Sequence, residues 1–252
     1  GKEYADFVMA DFANSFSVDG KILNGYFICY VILQLLLVHV PLLIALIAAD
    51  MISGEANMGT LRILLTKPQS RTAIVMAKFI ASVIYTLLLL IWIAIMGLFL
   101  SMLIFGTDDL FLMKSSYVVI VKESDVFWRY AGAFCFAALA MVTVAALGFF
   151  LSFFAENSIG PIVATMSVII VCTILSTMNI PLFNLIKPYL FTTHMITWKE
   201  FFDFKVNDAN EAIIGSIQYP DKIIRSATVL AIHIVLFVGS AVWLFRKKDI
   251  LS

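Results

Sequence analysis

The sequence predicts an all-α, polytopic membrane protein, and three observations carry that expectation. Hydrophobic residues make up 62% of the chain and charged residues only 13%, whereas an ordinary soluble domain is roughly 45–50% apolar and about 25% charged. Five apolar runs, near residues 26–49, 74–105, 127–154, 159–178 and 223–245, each reach the ~20 residues a helix needs to cross ~30 Å of hydrocarbon. Polar and charged residues gather in the links between them. Lipid offers no partner to a backbone N–H or C=O, so the five runs are expected to be helices.

The lead, residues 1–24, is mixed and mostly polar. It lacks the basic segment, short apolar core and small-residue cleavage site of a signal peptide. The first span carries Gln34, His39 and Pro41. If the second begins at Arg71 it is about 50 Å long at ~1.5 Å per residue, so Arg71 and Lys78 should project beyond the bilayer or lie along its surface. In the third span Ala131, Ala138, Ala145 and Ser152 recur every seven residues, a small-residue stripe that lets another helix approach closely. Only "AENS" joins the third span to the fourth, which forces an antiparallel helical hairpin. His233 sits in the last span. An ionisable residue at membrane depth is a candidate for function, yet a neutral histidine is also satisfied by one backbone carbonyl and one donor.

Alternation places residues 106–126 and 179–222 on the same side as the N-terminus. The 50–71 stretch, the short turn and "RKKDILS" fall on the other. Arg62, Lys67, Arg71, Arg246, Lys247 and Lys248 make that second side denser in basic residues, so it is expected to be cytoplasmic, with the C-terminus. An external N-terminus with no signal peptide implies a missing upstream span, and the chain is expected to be a truncated form of a six-span protein. Within 179–222, "NIPLFNLIKPYLF" and "WKEFF" have the composition of short segments at the headgroup level. Asp208 and Glu211 have capping-box spacing, which predicts a short helix ending before Pro220.

Composition also excludes. Seventeen basic and 17 acidic residues leave a formal net charge of zero, which gives a nucleic acid nothing to dock on. Cys29, Cys135 and Cys172 fall within apolar runs and read as small hydrophobes. No paired carboxylates, metal-binding set or nucleophile with a base at helical spacing supports an intramembrane enzyme. No metal site is expected. The Gly20–Lys21 pair lacks the earlier glycine of a phosphate-binding loop and is followed by Ile22, so no cofactor is expected on this chain.

The polar interruption "DMISGEANMGTLRILLTKPQSR", from Asp50 to Arg71, is the most informative stretch. Met51, Met58, Leu61 and Leu65 recur at helical spacing and gather on one face, leaving Glu55 and Arg62 elsewhere on the surface. Pro68 ends the helix and Ser70 can cap the next. The expectation is a short amphipathic helix over about 51–67. It is either a solvated connector resting on headgroups or a docking element, with Glu55 and Arg62 as polar contacts around an apolar face of Met58, Leu61 and Leu65.

The segment "ISGEANMGTLRILLTKPQSRTAIVMAKF" resembles the signature of the type-2 ATP-binding-cassette (ABC) transporter permeases. The matching residues are Gly54, Glu55, Gly59, Thr60, Leu61, Arg62, Leu64, Leu65, Pro68, Ser70, Arg71 and Lys78. "FRKKDIL" is also similar to that family's ending. The resemblance implies that 51–67 is a coupling helix seated in a cleft of a separate ATPase subunit, which would carry ATP and magnesium. It further implies six spans per permease, a second permease copy or paralogue as partner, and export across a bacterial or archaeal cytoplasmic membrane. The rival expectations are a secondary transporter, a channel, or a membrane assembly component without an ATPase.

Overall fold

Asn24 starts the first helix. Its side chain accepts from the Phe27 N–H at 3.0 Å, which satisfies one of the donors a helix start leaves open, and its amide donates to the Asp109 carbonyl at 2.8 Å. This computed structural model describes residues 23–60, 69–113, 118–155, 157–178, 180–207 and 213–247. In chain order the helices are α1 (Gly25–Asn57), α2 (Arg71–Ala94), α3 (Leu100–Phe105), α4 (Glu123–Leu151), α5 (Ile159–Thr177), α6 (Pro181–Asn184), α7 (Phe191–Met195) and α8 (Pro220–Lys247). A π-helical turn, Ile95–Phe99, carries α2 into α3, and 3₁₀ turns cover Ser152–Phe154, Lys187–Tyr189 and Ile196–Phe202.

Five helices are long and apolar enough to cross a membrane: α1, α2 with α3, α4, α5 and α8. They expose Ile84, Leu88 and Ile91 on α2, Ile170 and Ile174 on α5, and Val235 and Leu236 on α8. Apolar surface of that extent is a liability in water and the natural coat of a chain in lipid. The expected all-helical fold needs one correction. The link after α3 holds an antiparallel hairpin of β1 (Leu110–Met113) and β2 (Val118–Val121), with Leu110 opposite Val121 and Leu112 opposite Val119. These runs are too short to stand out by periodicity between longer apolar spans; they pair because Leu110, Leu112, Val119 and Val121 bury one face against the bundle.

Sixteen of the 29 residues of α4 are buried, against three of 19 in α5. Thus α4 is the central helix, packed on α1, α2 and α8, while α5 lies at the edge. The seven-residue stripe enters this core only at its far end: Ala145 and Ser152 are fully buried, Ala131 is exposed. Gly148 brings α4 close to the α1 backbone at Ala49. The expected capping-box residues 208–212 lie outside the described part; residues 213–219 form a turn with Gly215 at φ +76°. Pro220 is the first residue of α8, where its missing N–H costs nothing.

The hairpin end is tied together by polar groups. The Gly25 N–H donates to the Gly106 carbonyl at 2.8 Å, and a Cβ on Gly25 would lie 2.4 Å from the Met102 Cα, so the starts of α1 and the end of α3 touch backbone to backbone. Asp109 accepts from the Glu123 N–H at 2.9 Å and from Lys122 at 2.8 Å, fixing the start of α4. One turn on, Arg129 is completely buried. Its Nε and Nη2 donate to Asp125 Oδ2 at 2.9 and 2.6 Å, its Nη1 to the Phe201 carbonyl at 2.7 Å and its Nη2 to the Ser216 carbonyl at 2.8 Å. Asp125 Oδ1 accepts from Trp128 Nε1 at 2.5 Å and from the Gly215 N–H at 3.0 Å. A buried charge is tolerated only when paired and hydrogen-bonded in this way.

Two outcomes follow for thermal unfolding in detergent, read by intrinsic fluorescence. Gly25→Ala should cost about 1–3 kcal/mol through overpacking, whereas Gly239→Ala, with nothing within 4 Å of the added carbon, should cost nothing. Arg129→Ala should cost about 3–5 kcal/mol, because it leaves Asp125 as an uncompensated buried charge; Lys122→Ala, at an exposed pair, should lose far less.

Candidate functional site

The site suggested by the sequence lies at the opposite end of the bundle, where α1 finishes and α2 begins. Here α1 does not stop at the end of its apolar run. It continues through Asp50 to Asn57, because Ile52 and Ser53 remain buried and Ile52 joins Val75, Phe79, Phe149, Phe153 and Phe245 in a second hydrophobic cluster. Ser53 Oγ donates to the Ala49 carbonyl at 2.7 Å, within its own helix. The Asp50 carboxylate lies over Gly54, where a Cβ would meet Asp50 Oδ1 at 2.4 Å. Met58 closes the helix, its N–H donating to the Gly54 carbonyl at 3.0 Å. Gly59 then turns the chain with φ +71°, the left-handed residue that commonly follows a helix end and that glycine adopts without strain.

The first part of the expected 51–67 helix is corrected: residues 51–57 continue α1, and the left-handed Gly59 ends that helix. Met51 packs partly buried against the second cluster, while Met58, at the helix end, is 69% exposed. Thr60 Oγ1 donates to the Glu55 carbonyl at 3.3 Å. Leu61, Arg62, Leu64, Leu65 and Pro68 lie outside the described residues.

Glu55 is not the free rim charge that the sequence suggested. Its Oε1 takes a hydrogen bond and ion pair from Lys78 Nζ on α2, with the side chains 28% and 17% exposed. The acid and the base that carry the motif thus meet across the turn. The second carboxylate oxygen, Oε2, is shielded from solvent and has no hydrogen-bond partner among the described residues. Ser70 caps α2 as expected, accepting from the Ala73 N–H at 3.1 Å. Arg71 does not project freely: its Nη1 donates to the Phe245 carbonyl at 3.3 Å, near the C-terminal end of α8, where helix carbonyls lack intrahelical partners and a cation is favourable. The ends of α1, α2 and α8 are therefore locked around one aromatic cluster, with Phe79 on Phe149, Phe149 on Phe153 and Phe153 on Phe245 at ring separations of 5.6, 5.3 and 5.6 Å.

The intramembrane polar residues are placed apart. His39 Nδ1 lies 3.0 Å from the Leu35 carbonyl and His233 Nδ1 2.8 Å from the Val229 carbonyl, each within its own helix. His233 also packs its ring against Phe191 and Phe237. Gln34 Oε1 accepts from Lys199 at 3.4 Å. The buried hydroxyls of Ser82, Thr86, Thr143, Ser152 and Thr165 likewise donate to carbonyls three or four residues earlier. Among the described residues no cluster of three or more His, Cys, Asp or Glu is arranged to hold a metal.

Sequence reasoning passed over Asp125 and Arg129. The signal was there as an acid four residues before a base at a helix start, but the bonds to Phe201 and Ser216 span 72 and 87 residues and leave no local trace.

Comparison with known proteins adds a family and a relative. The chain is 26% identical over 211 residues to "Uncharacterized protein YhcI" of Bacillus subtilis (strain 168), an alignment that takes in 81% of this chain and 63% of that protein. The chain thus spans less than two thirds of the length of this relative. No solved structure matches. A family model described as "Protein of unknown function (DUF2705)" matches residues 3–251, and on that coverage the chain belongs to the DUF2705 family.

Proposed function

We propose that this chain is the membrane-spanning permease subunit of an ATP-driven ABC transporter, an exporter, coupled to a separate ATPase through the segment that follows α1. The observation that carries the reading is the Glu55–Lys78 pair at the root of that segment. It joins two residues of the motif that resembles the type-2 permeases, and Met58, at the end of the same helix, is exposed.

On this reading, ATP and magnesium reside on the partner ATPase, a second permease copy or paralogue completes the pathway, and the chain sits in a bacterial or archaeal cytoplasmic membrane with its C-terminus in the cytoplasm. The Glu55–Lys78 pair, the Arg71 bond to the end of α8 and the aromatic cluster tie the end of α1, the start of α2 and the end of α8 together. A push on the docked segment is then carried into three spanning helices at once, which is the packed, two-state kind of element that coupling requires. The placement of the intramembrane hydroxyls disfavours a channel or secondary transporter within a single copy, since each is turned back on its own helix instead of lining a path.

The test is purification of the full-length protein from its own membrane. The wild type should bring down a stoichiometric subunit with ATPase activity, and Leu61→Asp with Leu65→Asp should lose that subunit while remaining in the membrane; equal recovery from both would refute the docking role. A charge-reversal cycle reads the brace: Glu55→Lys and Lys78→Glu should each weaken recovery, and the double reversal should restore part of it, with a coupling of about 1 kcal/mol. Additive losses would place Glu55 on the partner instead.

A further inference from the structure

We propose that His194 is an acid-sensitive latch that fastens the Lys187–Phe202 segment to the last spanning helix at the hairpin end. The geometry allows only one arrangement of protons. His194 is 7% exposed and engages both ring nitrogens: Nε2 lies 3.0 Å from the Pro188 carbonyl and Nδ1 2.9 Å from Ser226 Oγ on α8. A carbonyl can only accept, so Nε2 carries the proton, and in the neutral ring Nδ1 is the acceptor. Ser226 therefore donates to Nδ1, and Thr197 Oγ1 donates to Ser226 Oγ at 3.0 Å. One neutral imidazole thus ties together the Lys187–Tyr189 turn, α7, the Ile196–Phe202 turn and α8.

A second ring proton reverses the sense of the central bond. Nδ1–H then faces Ser226 Oγ, the serine hydroxyl has to turn away, and a cation sits in a site walled by the buried Phe191, Met195 and Trp198. No acid among the described residues is placed against it. From α8 come Arg225, His233 and Lys222, the last paired with Glu200 of the 196–202 turn. That turn also carries Lys199, which bonds Gln34 of α1; the Lys187–Tyr189 turn adds Lys187; α4 presents Arg129, paired with Asp125; α5 has no titratable residue but Cys172. Burial first, then the neighbouring Arg225 and His233, hold His194 below the ordinary imidazole value, against the opposing pull of the Pro188 carbonyl.

The sign follows from linkage. An opened segment binds the proton near the ordinary value, about 6.5, and the closed one only at lower pH. Closure is at full strength above about 6.5 and weakens up to tenfold per pH unit as pH falls from there to the lowered value. A Ser–His contact is also the geometry of an activated nucleophile, but Ser226 is 2% exposed and already accepts from Thr197, which leaves no room for a substrate.

Hydrogen exchange on the full chain in lipid nanodiscs, at pH 7.5 and 5.0 and corrected for intrinsic rates, tests the latch. Residues 187–202 should lose protection at pH 5.0, by at most the ~30-fold that linkage allows over the roughly 1.5 pH units below the ordinary imidazole value, and His194→Gln, which keeps a donor for the Pro188 carbonyl but cannot titrate, should abolish that loss, with His233→Gln retaining it. Should His194→Gln fail to fold, Ser226→Ala decides: removing the donor to Nδ1 should move the opening midpoint to higher pH. Unchanged protection in the wild type, an acid response that persists in His194→Gln, or an unmoved midpoint in Ser226→Ala would overturn the proposal.

Discussion

Hydrocarbon cannot hydrogen-bond a peptide group, and the rest of this structure follows from that constraint. Five long helices keep their backbone bonds to themselves, and the buried Ser82, Thr86, Thr143, Ser152 and Thr165 turn their hydroxyls onto carbonyls three or four residues earlier. Apolar packing is left to set the arrangement, and α4, with small residues at Ala140, Ala145, Ala146 and Gly148 all buried, is the helix the others can approach most closely. Arg129, the one fully buried charge among the described residues, sits one turn into α4, where carbonyls from the 196–202 and 213–216 segments can reach it.

The two ends of the bundle solve different problems. At the hairpin end, bonds from Asn24, Asp109, Arg129 and His194 draw distant segments onto the helix starts. At the other end, Glu55–Lys78, the Arg71 bond and the phenylalanine cluster hold the end of α1 to the starts and ends of its neighbours, while Met58 to Thr60, just beyond α1, are exposed.

Much of the fold was legible in the sequence because membrane spans are local signals. The five runs, the tight turn between α4 and α5 and the Ser70 cap all rest on residues close in the chain. The first helix was drawn too short because its last two turns carry Asp50 and Glu55; the burial of Ile52 between them depends on α2 and α4, and Glu55 pairs with a lysine 23 residues away. The β1–β2 hairpin was missed for a similar reason, its two four-residue runs gaining their stability from the bundle. At the candidate site the spacing did not reveal that Glu55 and Lys78 face each other, nor that α1 carries Met51 into a packed cluster and ends with Met58 exposed. Ring-nitrogen partners 6 and 32 residues from His194 left no pattern to read.

The most direct measurement places a photo-crosslinking amino acid at Met58, 69% exposed just beyond the end of α1, in the full-length protein in living cells. The account predicts a covalent adduct with a soluble ATP-binding subunit, absent when the same group is placed at Val163 on the outward face of α5. An adduct with lipid alone, or with none but membrane-spanning proteins, would contradict it.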